Sequence, residues 1–169
     1  MPPKNEKAVV TAPEIEKYAN SALKKWVKAL QSHRVLKTRA LGSSKAEQHG
    51  PFHVELTICS APRMKKLNEQ YRGKASPTDV LSFAADPFFQ RKGVLGDLVI
   101  CAPVVLKQAR EYQHSWKKEI DVLIVHGLLH LLNFDHELGE LEAREMAKWE
   151  RKLLGVGVKA SLITRASEA

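Results

Sequence analysis

Three histidines, His126, His130 and His136, interrupt the segment VHGLLHLLNFDHE at residues 125–137, which is otherwise rich in leucine, valine and phenylalanine. A desolvated imidazole needs a polar partner, and one shared ion would satisfy all three rings at once. On a helix, residues four apart share a face, so His126 and His130 point the same way. His136 lies six residues beyond His130, which on a continuing helix would place it about 240° around the axis. The helix must therefore stop first. Asn133 stands where the stop is needed, and asparagine is second only to glycine as a left-handed helix terminator. A turn there can carry His136 back toward the other two, making H-x₃-H-x₅-H a three-point site.

Three neutral imidazoles suit one Zn²⁺ per chain, with a fourth position open to a water that ionises near neutral pH. No ligand is anionic, so the ion keeps its double charge and favours an anionic substrate such as a phosphodiester. Zinc peptidases carry H-E-x-x-H, whose glutamate is the general base. Here that position is Gly127, which can move no proton. That argues against a peptidase of the usual design.

The elements that must position these residues are readable from hydrophobic periodicity. Residues 12–31 form an amphipathic helix with Ile15, Ala19, Leu23, Trp26, Val27 and Leu30 on one stripe. Alternation in HVELTIC (53–59) predicts a half-buried strand. Ser60 and Pro62 open a second helix, with Met64, Leu67 and Tyr71 inward, which Gly73 ends. DVLSFAA (79–85) and GDLVICA (96–102) read as strands separated by a loop around Pro87 and Gly93. Pro103 starts a helix ending near His114. The histidine-bearing helix runs from about Trp116 to Leu132, capped by Ser115; its second half is apolar on every side and belongs at the centre of the fold. A last helix covers about 139–154, with Leu141, Met146, Trp149 and Leu153 inward. The order implies an α+β fold, a compact single domain in which helices pack a small sheet. Residues 12–154 make up that domain, between tails at 1–11 and 155–169.

No apolar run approaches the roughly 20 residues needed to cross a bilayer, and the amino terminus lacks a secretory pattern, so a cytoplasmic protein is expected. Two cysteines, Cys59 and Cys101, imply no disulfide framework and read as small buried hydrophobes. The net charge of +8 favours anionic partners. It is uneven: residues 1–40 carry nine Lys/Arg against three Glu, while 139–154 carry four of each sign. Residues 61–92 form a second basic stretch, with seven Lys/Arg against three acids, and Arg72 lies in it beside Gly73 and Lys74. Its guanidinium suits a phosphate clamp, and equally an ordinary surface arginine at a helix end. Thr78 and Ser82 could donate to a phosphate or serve turn and strand packing. Asp135 could orient a ligand imidazole or cap a turn. His33, His49, His53 and His114 fit no ligand spacing and read as structural.

With those residues in place, HGLLHLLNFDH closely resembles the H-G-x-L-H-L-x-G-Y-D-H signature of the YbeY family of bacterial endoribonucleases, which mature ribosomal RNA. LNEQYRGKASPTDVLSF (67–83) resembles that family's Y-R-G-K-x-x-P-T-D-V-L-S-F block, and LGDLVICAPVV (95–105) its L-G-D-I-V-I segment. The likeness spans about residues 52–154. It implies that His126, His130 and His136 bind zinc, that Arg72 lies in the active-site cleft and acts on RNA, and that the fold is like that of zinc metallopeptidases (zincin-like). Arg72 and the metal ligand His126 are then the catalytic candidates. The implied partners are ribosomal RNA and the ribosomal subunit or its proteins; no membrane is implied. Two departures stand out: Asn133 where the family usually has glycine, and a longer 33–50 region. The rival functions are a metal-dependent hydrolase of a peptide or amide, and a ribosome-associated factor with a structural metal. The latter usually closes its site with four protein ligands including cysteines.

Overall fold

A computed structural model describes residues 10–33 and 51–155. The far termini and most of the 33–50 region, His49 included, lie outside the described residues. The chain runs α1 (Ala12–Ser32), β1 (His53–Cys59), α2 (Ala61–Arg72), β2 (Val80–Ala84), α3 (Pro87–Gln90), β3 (Val94–Cys101), α4 (Ala102–Glu111), α5 (Trp116–Leu131), a 3₁₀ turn (His136–Leu138) and α6 (Glu140–Leu154). The sheet order is β1-β3-β2, with β1 parallel and β2 antiparallel to β3. This is the α+β architecture that the sequence implies. No helix among the described residues is long and apolar enough to cross a membrane.

Strand alternation sorts the side chains into two layers. Val80, Leu98 and Ile100, with the half-buried Leu56 and Ile58, join the main core beneath α1 and α5. Leu81, Val99, Cys59 and Cys101 point the other way, into a smaller cluster with Met64 of α2. Both cysteines are buried and free, as expected. Central β3 is thus covered on both faces, and β2 is left as a short edge.

Helix α5 is the centre. From Ile120 to Leu132, only Asp121 and His130 are more than slightly exposed. Two polar anchors fix its first turns. The Asp121 carboxylate accepts from Trp26 Nε1 at 2.6 Å and from the Tyr18 hydroxyl at 3.0 Å, tying α5 to α1. Burial and that carboxylate push the Tyr18 phenol up to about 12. Glu119, with 0% exposure, pairs with His114 at 2.9 Å. Ser115 caps the helix by accepting from the Lys118 N–H, as its position predicts.

Three details differ from the sequence reading. The loop around Pro87 contains the short helix α3, capped by Asp86, which accepts from the Phe88 N–H at 2.8 Å. Tyr71 is 58% exposed, since Met64 and Asn68 are the residues that α2 buries; its ring meets Phe83 edge-on at 4.9 Å. Leu141, in the first turn of α6, is 79% exposed; packing against the core begins at Met146 and includes Trp149.

Candidate metal centre

The end of α5 is a Schellman turn. Asn133 adopts φ 62°, its N–H donates to the His130 carbonyl, and the Phe134 N–H donates to the Leu129 carbonyl. Phe134 then drops into the core, 1% exposed, and fixes the exit direction. The predicted helix stop is where the sequence places it. His136, opening the 3₁₀ turn, comes back beside the helix.

The three imidazoles converge. Ring centroids are 4.6 Å apart for His126 and His130, 5.2 Å for His130 and His136, and 5.5 Å for His126 and His136. One nitrogen from each lies within 4.8 Å of the other two, so the group could hold a metal ion. The donor chemistry fits. Two imidazoles on a tetrahedral ion at about 2.0–2.1 Å have nitrogens about 3.3 Å apart; the Nε2 atoms of His126 and His130 are 3.1 Å apart. Burial, then the neighbouring His126 and His136, hold His130 down to about 4. Burial and His126 likewise lower His136. Both rings therefore keep a lone pair available at neutral pH.

Glu150 of α6 supplies the outer partner. Its Oε1 lies 2.8 Å from His126 Nδ1, and the residue is 2% exposed. A carboxylate only accepts, so Nδ1 carries the proton and Nε2 is left as the ligand atom. Sequence reading assigned this orienting role to Asp135 as one alternative. Asp135 instead accepts from the Glu137 N–H at 2.9 Å and caps the 3₁₀ turn. Glu150 was overlooked, yet a signal existed: it follows Met146 by four residues, so a glutamate falls on the buried stripe of an amphipathic helix.

A cleft of about 580 Å³ opens before the imidazoles and runs beside β2. Arg72, Thr78, Ser82 and Asp135 all line it. Arg72 closes α2 ahead of Gly73, whose φ of 68° turns the chain; Asn68 Nδ2 donates to the Ser76 carbonyl and folds the following loop back. Arg72 Nη2 donates to Glu137 Oε1 at 3.1 Å, an exposed pair across the lip of the cleft. Thr78 donates to Asp79 at 3.2 Å. His114, which pairs with Glu119, takes no part in the cluster of imidazoles, nor do His33 and His53.

Gly127 has a packing reason as well as a chemical one. A Cβ there would lie 2.6 Å from Leu98 Cδ2 and 3.2 Å from Ser82 Oγ. Helix α5 approaches the sheet closely here, and a side chain at that position would have to displace the end of Leu98.

Residues 5–156 match the family model described as Endoribonuclease YbeY. A Moorella thermoacetica protein named Endoribonuclease YbeY is 40% identical over 136 residues, spanning 75% of this chain and 85% of that one. A Bacillus subtilis protein of the same name is 40% identical over 117 residues, 64% of this chain and 74% of that one. A Thermotoga maritima protein known from its solution structure superposes with a TM-score of 0.52 at 26% identity, covering 86% of this chain and 83% of that one.

Proposed function

This chain belongs to the YbeY family of endoribonucleases, and from that premise we propose that it is a zinc-dependent endoribonuclease that cuts single-stranded regions of ribosomal RNA. The reading includes roles in ribosomal-RNA maturation and ribosome quality control in the cytoplasm, with the ribosomal subunit or its proteins as partners. The observation that carries it is the pairing of three converging imidazoles with one guanidinium in a single cleft. Zinc held by His126, His130 and His136 would supply Lewis acidity toward a phosphate oxygen and would lower the pKa of a nucleophile.

The chain's own residues do the rest. Glu150 holds the His126 ring and fixes its tautomer. Arg72 exchanges its exposed partner Glu137 for the scissile phosphate and stabilises the charge that grows on phosphorus. Ser82 lines the same wall and offers a hydroxyl donor to a phosphate oxygen, while the Thr78 hydroxyl donates to Asp79. The charge of +8 draws RNA to the surface. A peptidase of the H-E-x-x-H design would need a glutamate in place of Gly127, where a Cβ would press on the end of Leu98.

The test is single-turnover cleavage of a ribosomal-RNA fragment beside metal analysis. Chelation, or the double change His126→Ala/His130→Ala, is expected to abolish both zinc and cleavage. Arg72→Lys keeps the zinc but loses about a hundredfold in rate, because an ammonium cannot reproduce the planar fork. Cleavage at the wild-type rate in the double variant overturns the metal reading; cleavage at that rate in Arg72→Lys overturns the clamp. Product ends identify the nucleophile: a 2′,3′-cyclic phosphate indicates attack by the ribose hydroxyl, a 3′-hydroxyl attack by water.

A further inference from the structure

Strand β2 ends the sheet, and among the described residues no strand pairs with its outer side. The ladder decides which backbone groups face that side. In an antiparallel pair, alternate residues exchange both backbone hydrogen bonds with the partner strand, and the residues between them turn N–H and C=O outward. The Cys101 N–H donates to the Asp79 carbonyl at 2.8 Å, and the Ala85 N–H donates to the Leu95 carbonyl at 2.9 Å. Asp79, Leu81, Phe83 and Ala85 therefore bond inward to β3. Val80, Ser82 and Ala84, opposite Ile100, Leu98 and Gly96, present their backbone groups to the open side.

That open side is a wall of the cleft. Val80, Ser82 and Ala84 all line it, with Arg72, His126 and His130, whereas Phe83 does not. The Val80 N–H is already taken by Asp79 Oδ1 at 2.7 Å. Ser82 is half-buried and Ala84 is exposed. From Ser82 to Ala84 the edge therefore runs N–H, C=O, N–H, C=O, and like groups repeat about every 6.7 Å. Each RNA nucleotide repeats one group that only accepts, the phosphodiester, and one that donates, the 2′-hydroxyl. DNA repeats the acceptor alone. A peptide strand would also pair with such an edge. A wall shared with a guanidinium and three imidazoles that could hold a metal, in a chain of charge +8, instead suits a polyanion.

We propose that the free edge of β2 holds the sugar–phosphate backbone of the substrate: the N–H groups of Ser82 and Ala84 donate to phosphates, and the Ser82 carbonyl accepts from a ribose 2′-hydroxyl. The proposal rests on the endoribonuclease reading for its ligand class. Backbone contacts of this kind fix the register of a strand without reading its sequence. The edge thus selects RNA over DNA and leaves the choice of bases to other parts of the surface. It also lays the strand along the wall that Arg72 and the imidazoles share.

The experiment titrates zinc-loaded protein with fluorescein-labelled uridine tetranucleotides, read by anisotropy, with intact oligonucleotide confirmed by mass afterwards and cleavage assayed separately. Ala84→Pro deletes one outward N–H and no bond to β3, and proline is tolerated on an edge whose N–H faces away from the sheet. It is expected to weaken RNA binding about tenfold, the size of one hydrogen bond to a charged group, at unchanged zinc content. Ala84→Ser, which keeps the N–H, binds like wild type. If Ala84→Pro fails to fold, lactic acid in place of Ala84 removes the same N–H as a backbone ester and carries the same expectation. On the substrate side, the 2′-fluoro tetranucleotide, which has lost its donors, binds wild type about fivefold more weakly than the ribose form. Undiminished binding by the folded Ala84→Pro variant, or equal binding of the two oligonucleotides by wild type, overturns the proposal while leaving cleavage untouched. If Ala84→Pro loses only the binding of an extended threonine–valine hexapeptide, the edge belongs to a protein strand and the proposal is again overturned. Both expected losses, in a protein that cuts no RNA, support the edge and overturn the nuclease reading instead.

Discussion

Two base–carboxylate pairs serve the same cleft and are built oppositely. His126 and Glu150 meet at 2.8 Å with side chains 9% and 2% exposed; Arg72 and Glu137 meet at 3.1 Å with side chains 42% and 64% exposed. The distances are alike and the surroundings are not. A buried carboxylate that loses its partner finds no water to replace it, so the first pair has one geometry only. An exposed pair trades its partner for solvent at almost no cost. The buried pair fixes where a ligand atom points. The exposed pair keeps a guanidinium near the lip, and an incoming phosphate can take over its bond.

The strongest way to break this contrast is at Glu150. Glu150→Ala is expected to weaken metal binding about 10- to 100-fold, the usual effect of removing a carboxylate behind a ligand imidazole. Glu137→Ala is expected to leave metal binding unchanged. Competition against a chromophoric chelator measures both, and equal affinities in the two variants would erase the distinction.

A weaker effect follows from burial of the imidazoles. An unfolded histidine titrates near 6.5, while His130 is held down to about 4 and His136 is also lowered, both chiefly by burial. Below the unfolded value the unfolded chain binds more protons than the folded one, so stability falls with pH. The metal-free protein should melt at progressively lower temperature as pH drops from 6.5 toward 4. Thermal melts in chelator across that range test this, and a flat melting temperature would mean that the rings are solvated.

The smallest effect is expected at the exposed pair. Glu137→Ala should change folding stability by no more than about 0.5 kcal/mol, by urea titration. RNA binding should hold or tighten slightly, because Arg72 no longer has a competing carboxylate. Weaker binding in that variant would make Glu137 a contact to RNA rather than a partner that RNA displaces.

What was legible in the sequence was what obeys local rules. The spacing of His126 and His130 needs only helical geometry, and the return of His136 needs only a residue that tolerates positive φ, which Asn133 supplies. Alternation in HVELTIC predicted a half-buried strand, and Val54, Leu56 and Ile58 do pack against the main core. Long-range partnerships were hidden. Glu150 lies 24 residues from His126 and is joined to it only by the crossing of two helices. The hydrogen bond from Gln108 Nε2 to Asp79 Oδ2 joins residues 29 apart in the chain, which no local pattern announces. Tyr71 and Leu141 failed for a related reason: periodicity identifies a stripe but not how far along a helix its neighbours extend.

The close approach at Gly127 also constrains how this scaffold can change over generations. A glutamate at that position would complete the H-E-x-x-H pattern by exchange of one residue, yet its Cβ would press on the end of the buried Leu98, which would have to shift to admit it. Any such exchange has to carry a repacking of the layer between helix and sheet, where added volume typically costs about 1–3 kcal/mol.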